Sequence, residues 1–471
     1  MHFLPICSPA ASNPYDISRF IFHKNPIFAL TAAQRTRAFL RSNCQRSRKM
    51  EMLMQFMWEH RLWNPAEMRT NDGKRIRVVD PGVRNTDAGP DFFNAKIEID
   101  GCTWAGNVEI HFRASDWKRH GHDKDRAYDS VILHVVDKDD APVYRSDGTL
   151  IPQTVMRCTP QMADRYTALT TSKSELPCKS VIAAMSPLET AEWTESLAFE
   201  RLREKSLRIK DLLSRYRGSW EDACYITFAR NIGFGTNNDA FERLAKSLPL
   251  PLLHKHADSL LQIEALFFGQ AGMLETADGD SYYRQLRREY AYLKTKFALR
   301  RPDGLIWKSF RMRPQNFPWR RVALLAHYVH NGFRMMADIL EAKGDEEKLR
   351  AIFTVELTGY WSNHFSFSHV SPEQSAAIGK NSIDIILINT VAPLYYTYAE
   401  STDNYEWAER AIALLERLKP EKNGITALFA STGMKIDNAL ASQAVIQLRN
   451  AYCIPRKCLY CNAGHKMLAS K

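Results

Sequence analysis

The chain has 471 residues, 45% hydrophobic and 25% charged, and its 64 Lys+Arg against 53 Asp+Glu give a formal charge of +11. That length predicts two or three globular units, and the composition excludes a collagen, a low-complexity polymer, a disordered tail protein and a disulfide-dense miniprotein. No run reaches the ~18–20 uninterrupted apolar residues of a membrane span; the richest, 382–398, is broken by Asp384, Asn389 and Pro393, so no membrane partner is expected.

Residues 1–50 hold eight basic residues and one acid, so +7 of the +11 sits there, in a segment with no sustained period. Residues 1–49 read as a transit-like leader, as a disordered nucleic-acid arm, or as an early start-codon assignment with the folded chain opening near Met50. The third reading is favoured, because neither a secretory n-h-c layout nor an amphipathic helix is present. A chain without a secretion signal is expected in the cytoplasm, where its nine Cys serve as thiols or ligands and not as disulfides.

From Met50 the pattern changes. Glu51-Met-Leu-Met-Gln-Phe-Met-Trp-Glu-His60 spreads apolar residues over most of a helix surface and predicts a buried helix. Strands are predicted over 75–80, 92–99 and 104–113, with Asp100-Gly101 as a hairpin turn between the last two. Ser115 caps a short polar helix, and the near-continuous apolar run 130–136 reads as a buried strand. Beyond about residue 160 the period becomes 3.6, with helices expected over 187–216, 220–230, 239–248, 260–274, 282–299, 320–342, 346–354, 376–399, 406–418 and 439–453. The expected fold is α+β: a small mixed-sheet α/β front domain over 50–160, a large all-helical domain over 161–450, and a Cys-cluster tail over 451–471.

Gly89-Pro90-Asp91 opens the second strand, and Glu109 and His111 share a face of the third because side chains alternate along a strand. Two carboxylates on neighbouring strands with a basic side chain nearby suit a divalent-metal phosphodiesterase: Mg²⁺ or Mn²⁺ takes the oxygens, polarises phosphate and lowers the pKa of water. Asp91, Glu109 and His111 are therefore the candidate catalytic set, with Asp91 and Glu109 as metal ligands. A tight two-residue loop at Asp100-Gly101 pairs residues summing to 201, which sets Asp91 opposite Ile110 and on the other face from Glu109. Convergence requires a bulge or bend at Pro90-Asp91 or an odd-length loop. Asp87, His120, His122 and Asp123 are weaker candidates, since loop His and Asp commonly serve as turn formers. No nucleophile elbow, P-loop or dinucleotide fingerprint is present.

The helix-strand-strand-strand-helix-strand order with Asp91 and Glu109-x-His111 resembles the PD-(D/E)XK nuclease core. That resemblance implies Mg²⁺ on Asp91 and Glu109, a Lys where His111 stands, and a further ligand from a Glu of the first helix, Glu59 here. Independently, 85–96, 104–111, Asp116-Trp117 with His120-Gly121-His122-Asp123, 131–136, 268–274, 313–318 and Tyr452-Cys453 resemble the bacterial domain-of-unknown-function 2851 family over about 52–465, which implies no particular activity. The function expected is a metal-dependent, nuclease-like phosphodiesterase acting on nucleic acid. The alternative is a non-catalytic nucleic-acid-binding or assembly protein.

Between Arg284 and Arg321 stand twelve basic residues and two acids, interleaved with aromatics such as Tyr292, Phe310 and Trp319. Arg284, Arg287, Arg288, Arg311, Arg313, Arg320 and Arg321 are candidate phosphate contacts, with aromatic faces to stack bases; the competing reading is a solvated basic face with aromatics plugging a helical core. Last, Cys453-x4-Cys458-x2-Cys461-x3-His465 gathers metal-ligand types within thirteen positions and suits Zn²⁺. Three Cys with a distant fourth also suit an iron–sulfur cluster; some PD-(D/E)XK nucleases carry such a clasp, and that resemblance implies Cys178 as the distant partner.

Overall fold

The apolar run at Met50 folds as helix α1 (47–59), whose Met54, Met57 and Trp58 are buried against a six-stranded sheet. The structure, a computed structural model, describes residues 47–276, 278–370 and 377–470, and the chain divides into two compact units between Ala163 and Asp164. The expected leader, 1–49, lies outside the described residues except for 47–49, which belong to α1.

The front unit's strands are β1 (Ile76–Asp80), β2 (Val83–Arg84), β3 (Phe92–Ile99), β4 (Cys102–Arg113), β5 (Val131–Lys138) and β6 (Gln153–Val155). They run in the order β1-β3-β4-β5-β6, with β2 also pairing β3. β1, β3 and β4 are antiparallel neighbours, whereas β5 joins β4 in parallel and β6 joins β5 in parallel, so the sheet is mixed. The Asp100-Gly101 turn has positive φ at both positions, 51° and 82°, as a two-residue hairpin loop requires. One face carries Phe92, Ala95, Ile97, Val108, Ile110, Leu133 and Val135 into the core under α1. The other packs Val131 and Val136 against Ala114, Trp117, Val143 and Ile151, and the polar cluster described below stands on that second face. Between β4 and β5 runs the short helix α2 (Asp116–Arg119), followed by single 3-10 turns at His122–Lys124 and Arg126–Tyr128. Helix α3 (Pro160–Thr171) crosses the boundary between the units.

The second unit is built of helices, with one short antiparallel ladder between His364–Ser366 and His369–Val370. After α4 (Lys179–Ala183) comes its longest helix, α5 (Pro187–Arg215), opened by a Ser186/Glu189 capping box with Pro187 in the first turn. The helix expected over 320–342 is two, Pro318–His330 and Met335–Ala342: Gly332, at φ 80°, takes the left-handed conformation that ends the first. Two expected helices contain π-turns, at Leu387–Val391 and Leu448–Cys453. Among the described residues no helix is long and apolar enough to cross a membrane.

Candidate functional site

Asp91 and Glu109 meet because β3 is bulged. From Ile99↔Cys102 to Ala95↔Gly106 the pairing follows the sum of 201 set by the turn; it then slips to Phe92↔Val108. The extra residue is absorbed beside Asn94, whose φ is 58° and whose N–H donates to Asn107 Oδ1 at 3.1 Å. Asn tolerates that backbone region better than most residues. The slip brings Asp91 to Glu109's side of the sheet. Asp91 N–H donates to Glu109 Oε2 at 3.0 Å, and Ile110 N–H donates to Asp91 Oδ2 at 3.0 Å. The irregularity thus lies inside β3 and not at Pro90-Asp91.

Around Glu109 stand four imidazoles. His111 follows it on β4, and His134 is its neighbour on β5. His120 caps the C-terminus of α2, Gly121 turns the chain at φ 82°, and His122 opens the next 3-10 turn. Glu109 Oε1 lies 3.4 Å from His111 Nε2 and 3.5 Å from His122 Nε2. His120 Nδ1 is 3.1 Å from His111 Nε2, and His134 Nε2 is 2.9 Å from His111 Nδ1. One nitrogen from each of His111, His120 and His122 falls within 4.8 Å of the others. Tyr128 stacks on His122 with ring centroids 3.7 Å apart, and Trp117 sets itself edge-to-face against His111, His122 and His134. Glu109, His111, His122 and His134 are buried, whereas His120 is exposed and opens the cluster to solvent.

The electrostatics follow from that burial. Desolvation, reinforced by the charges of Asp91 and Glu51, holds Glu109 well above the usual carboxylate range. Burial likewise lifts Asp91 to about 6, opposed by the Ile110 N–H, Gln55 and Arg84. Glu51 is lifted to about 7 by burial and then by Asp91 and Asp116. The imidazoles move the other way: burial and neighbouring His push His111 well below its ordinary value, His122 to about 4 and His134 to about 3. Neutral imidazoles therefore face carboxylates that resist ionising together. His134 Nδ1 and Asp123 Oδ1 are buried without a hydrogen-bond partner.

The structure redistributes the expected residues. Asp91, Glu109 and His111 come together, and His122 and His120, the weaker candidates, join them, His122 against Glu109 and His120 against His111. Glu59 is elsewhere: its Oε2 takes Arg84 Nη1 at 3.0 Å. It lies two turns along the polar stripe Glu51, Gln55, Glu59, and Gln55 and Glu51 reach the site instead, with Gln55 Nε2 donating to Asp91 Oδ1 at 2.8 Å. Alternation of Glu109 with His111 signalled their face, but nothing local signalled His134 or Glu51. In the helical unit Arg284, Arg287, Arg288, Arg311 and Arg313 are exposed. Arg320 and Arg321 are not phosphate-accessible groups: each is 5% exposed, Arg320 donating to Trp361 O and Arg321 to Asn316 Oδ1 while lying over the Phe234 ring. Their helix begins at Pro318 and turns that face inward. Cys178, Cys453, Cys458 and Cys461 line one cavity, and His465 is not among its lining residues.

Fold and cluster together define a two-unit α+β protein whose mixed sheet carries a buried carboxylate–histidine cluster. The chain belongs to the family described as "Protein of unknown function (DUF2851)", whose sequence profile matches residues 51–424. The match spans both units and stops short of the C-terminal cysteines. No curated protein and no solved structure matches the chain.

Proposed function

We propose that the front unit is a divalent-metal-dependent phosphodiesterase acting on nucleic acid, with Glu109, His111, His120 and His122 holding the ion. The observation that carries this is the convergence of Glu109 Oε1 with His111 Nε2 and His122 Nε2 at 3.4 and 3.5 Å, and of His120 Nδ1 with His111 Nε2 at 3.1 Å. Donors about 2.0–2.1 Å from one ion at tetrahedral angles stand roughly 3.4 Å apart. The neutral imidazoles are already in the form that ligates, whereas the buried Glu109 carboxyl would give up its proton on binding. Three nitrogens favour Mn²⁺, Fe²⁺ or Zn²⁺ over the Mg²⁺ first expected. When bound, such an ion polarises a phosphoryl oxygen and lowers the pKa of water.

The chain's own residues supply the rest. His111 Nδ1 lies against His134 Nε2; with the proton on Nδ1, His111 Nε2 is left to ligate, so His134 is a positioning residue. Asp91, with one oxygen held by Gln55 and the other by the Ile110 N–H, locks Glu109 through its own N–H. Glu51, near pH 7 in affinity for a proton, is placed to take one up or release one. Lys118, Arg119, Lys124 and Arg126 are exposed on the same connection as His120 and His122 and offer phosphate neutralisation. The element order, with Asp91 and Glu109 on adjacent strands, supports the PD-(D/E)XK resemblance; the imidazole set departs from it.

The test is incubation of wild type, Glu109→Gln, His122→Ala and Asp91→Ala with labelled single- and double-stranded DNA and RNA plus Mn²⁺, Zn²⁺ or Mg²⁺. Cleavage with Mn²⁺ that falls at least ~10²-fold in Glu109→Gln is expected. Equal cleavage by all four proteins, or none with any ion, refutes the proposal; binding without turnover selects the non-catalytic alternative.

A further inference from the structure

We infer that Cys178, Cys453, Cys458 and Cys461 form the four-thiolate seat of a [4Fe–4S] cluster in the helical unit. Two distant segments supply them, and both are tied down. Arg449 donates to the Glu175 carbonyl at 2.8 Å and to its carboxylate at 2.6 Å across 274 positions of sequence. Arg456 Nη2 donates to the carbonyls of Ser172 and Ser174 at 2.8 and 2.7 Å. These clamps hold the loop before Cys178 against the turn after Cys453. Cys453 itself ends the π-turn Leu448–Cys453, and an extra residue in a helical turn re-aims the side chains that follow it.

All four thiols face the same small cavity, walled by Leu169, Leu176 and Pro177. The spacing decides between ions. Tetrahedral Zn²⁺ with bonds near 2.3 Å holds its sulfurs about 3.8 Å apart. Among the described residues, however, the one set of three or more Cys, His, Asp or Glu donors mutually within 4.8 Å is His111, His120 and His122. No three of these sulfurs therefore lie mutually within 4.8 Å. A cubane, which seats each thiolate on a separate iron, needs a wider spread, roughly 6 Å.

The surroundings suit such a group. The backbone N–H groups of Gly464 and Ala463 hydrogen-bond Cys461, and N–H donors on cluster sulfurs are a means of tuning it. A Cβ on Gly464 would meet the Cys458 carbonyl oxygen at 2.0 Å, so this glycine lets the last helix close over the Cys458–Cys461 turn. Loading from two ferrous and two ferric ions with four sulfides forms four Fe–S(Cys) bonds, releases the four thiol protons and leaves a core of charge 2+. His465 takes no part, and its N–H is the hydrogen bond to Cys461 O, 2.8 Å, that starts its helix.

The experiment is anaerobic purification of the full chain, or its reconstitution with iron and sulfide, followed by metal and sulfide analysis and visible absorption. About four irons and four sulfides per chain are expected, lost in Cys178→Ser and kept in His465→Ala, with circular dichroism reporting whether each variant folds. Stoichiometric zinc without iron, failure of the wild type to take up iron, or an undiminished cluster in folded Cys178→Ser overturns the inference. Because iron and sulfide content is read without substrate, the result stands apart from the phosphodiesterase assay.

Discussion

Glu264 shows how a single buried carboxyl sets a pH response away from the candidate site. It is 1% exposed, accepts the Tyr282 hydroxyl and is lifted by burial from 4.5 to about 7. Below pH 4.5 folded and unfolded chains both hold the proton and nothing is lost. As pH rises from 4.5 to about 7 the unfolded state releases it first, so stability falls through that window and then levels off. The loss is on the order of 3 kcal/mol. Glu264→Gln keeps the Tyr282 contact without the charge, so denaturant melts should show a flatter profile between pH 4.5 and 7 and greater stability at neutral pH. An unchanged profile counts against burial as the cause. At Gly106 an added Cβ would lie 2.4 Å from Ile132 Cγ2 and 2.8 Å from the Ser130 carbonyl oxygen. Gly106→Ala should therefore cost about 1–3 kcal/mol in urea unfolding, and a neutral outcome would mean that β5 shifts freely.

At the scale of elements, one inserted residue decides whether Asp91 joins the cluster. Deleting Asn94 restores the unbroken pairing of β3 with β4 and turns Asp91 to the α1 side, away from Glu109. The deletion variant should keep its far-ultraviolet circular dichroism while losing divalent-ion binding by at least ~10-fold in titration calorimetry; unchanged binding would show that Asp91 does not support Glu109. The bulge also explains what the sequence could disclose. The strands, the Asp100-Gly101 turn and the alternation of Glu109 with His111 are local patterns and were legible. The slip was legible only as a need, because Asn94 announces a tolerance for positive φ and not the use of it. Glu51 and Glu59 sit two turns apart on one helical stripe, and only Arg84, brought in by β2, decides that Glu59 is occupied. His134 reads from sequence as one polar residue inside an apolar strand; its role comes from a parallel neighbour, which local sequence does not encode.

For the whole molecule, the +11 resolves by place. The front unit from 51 to 151 has 18 acids against 14 basic residues, while the stretch 284–321 carries twelve basic residues and two acids. With Arg320 and Arg321 inside, the other ten basic residues of the stretch are exposed, Arg284, Arg287, Arg288, Arg311 and Arg313 among them, beside Phe310 at 84% and Tyr292 at 57% exposure. If these bind single-stranded nucleic acid, log K falls linearly with log salt, and Arg284→Ala/Arg287→Ala/Arg288→Ala should flatten the slope by about 0.7 for each lost phosphate contact. Fluorescence anisotropy across a salt series measures it, and an identical slope in the triple variant removes these arginines from the interface.

The clamps of Arg449 and Arg456 on the 172–175 loop also order events in time. The ribosome delivers the front unit's last strand, Gln153–Val155, roughly three hundred residues before Arg449. That unit is free to finish while synthesis continues. The helical unit has no such head start: α5 packs on Ala439–Gln447, and the loop before α4 waits for Arg449 and Arg456. Until those residues emerge, its first helices expose the surfaces meant for the last.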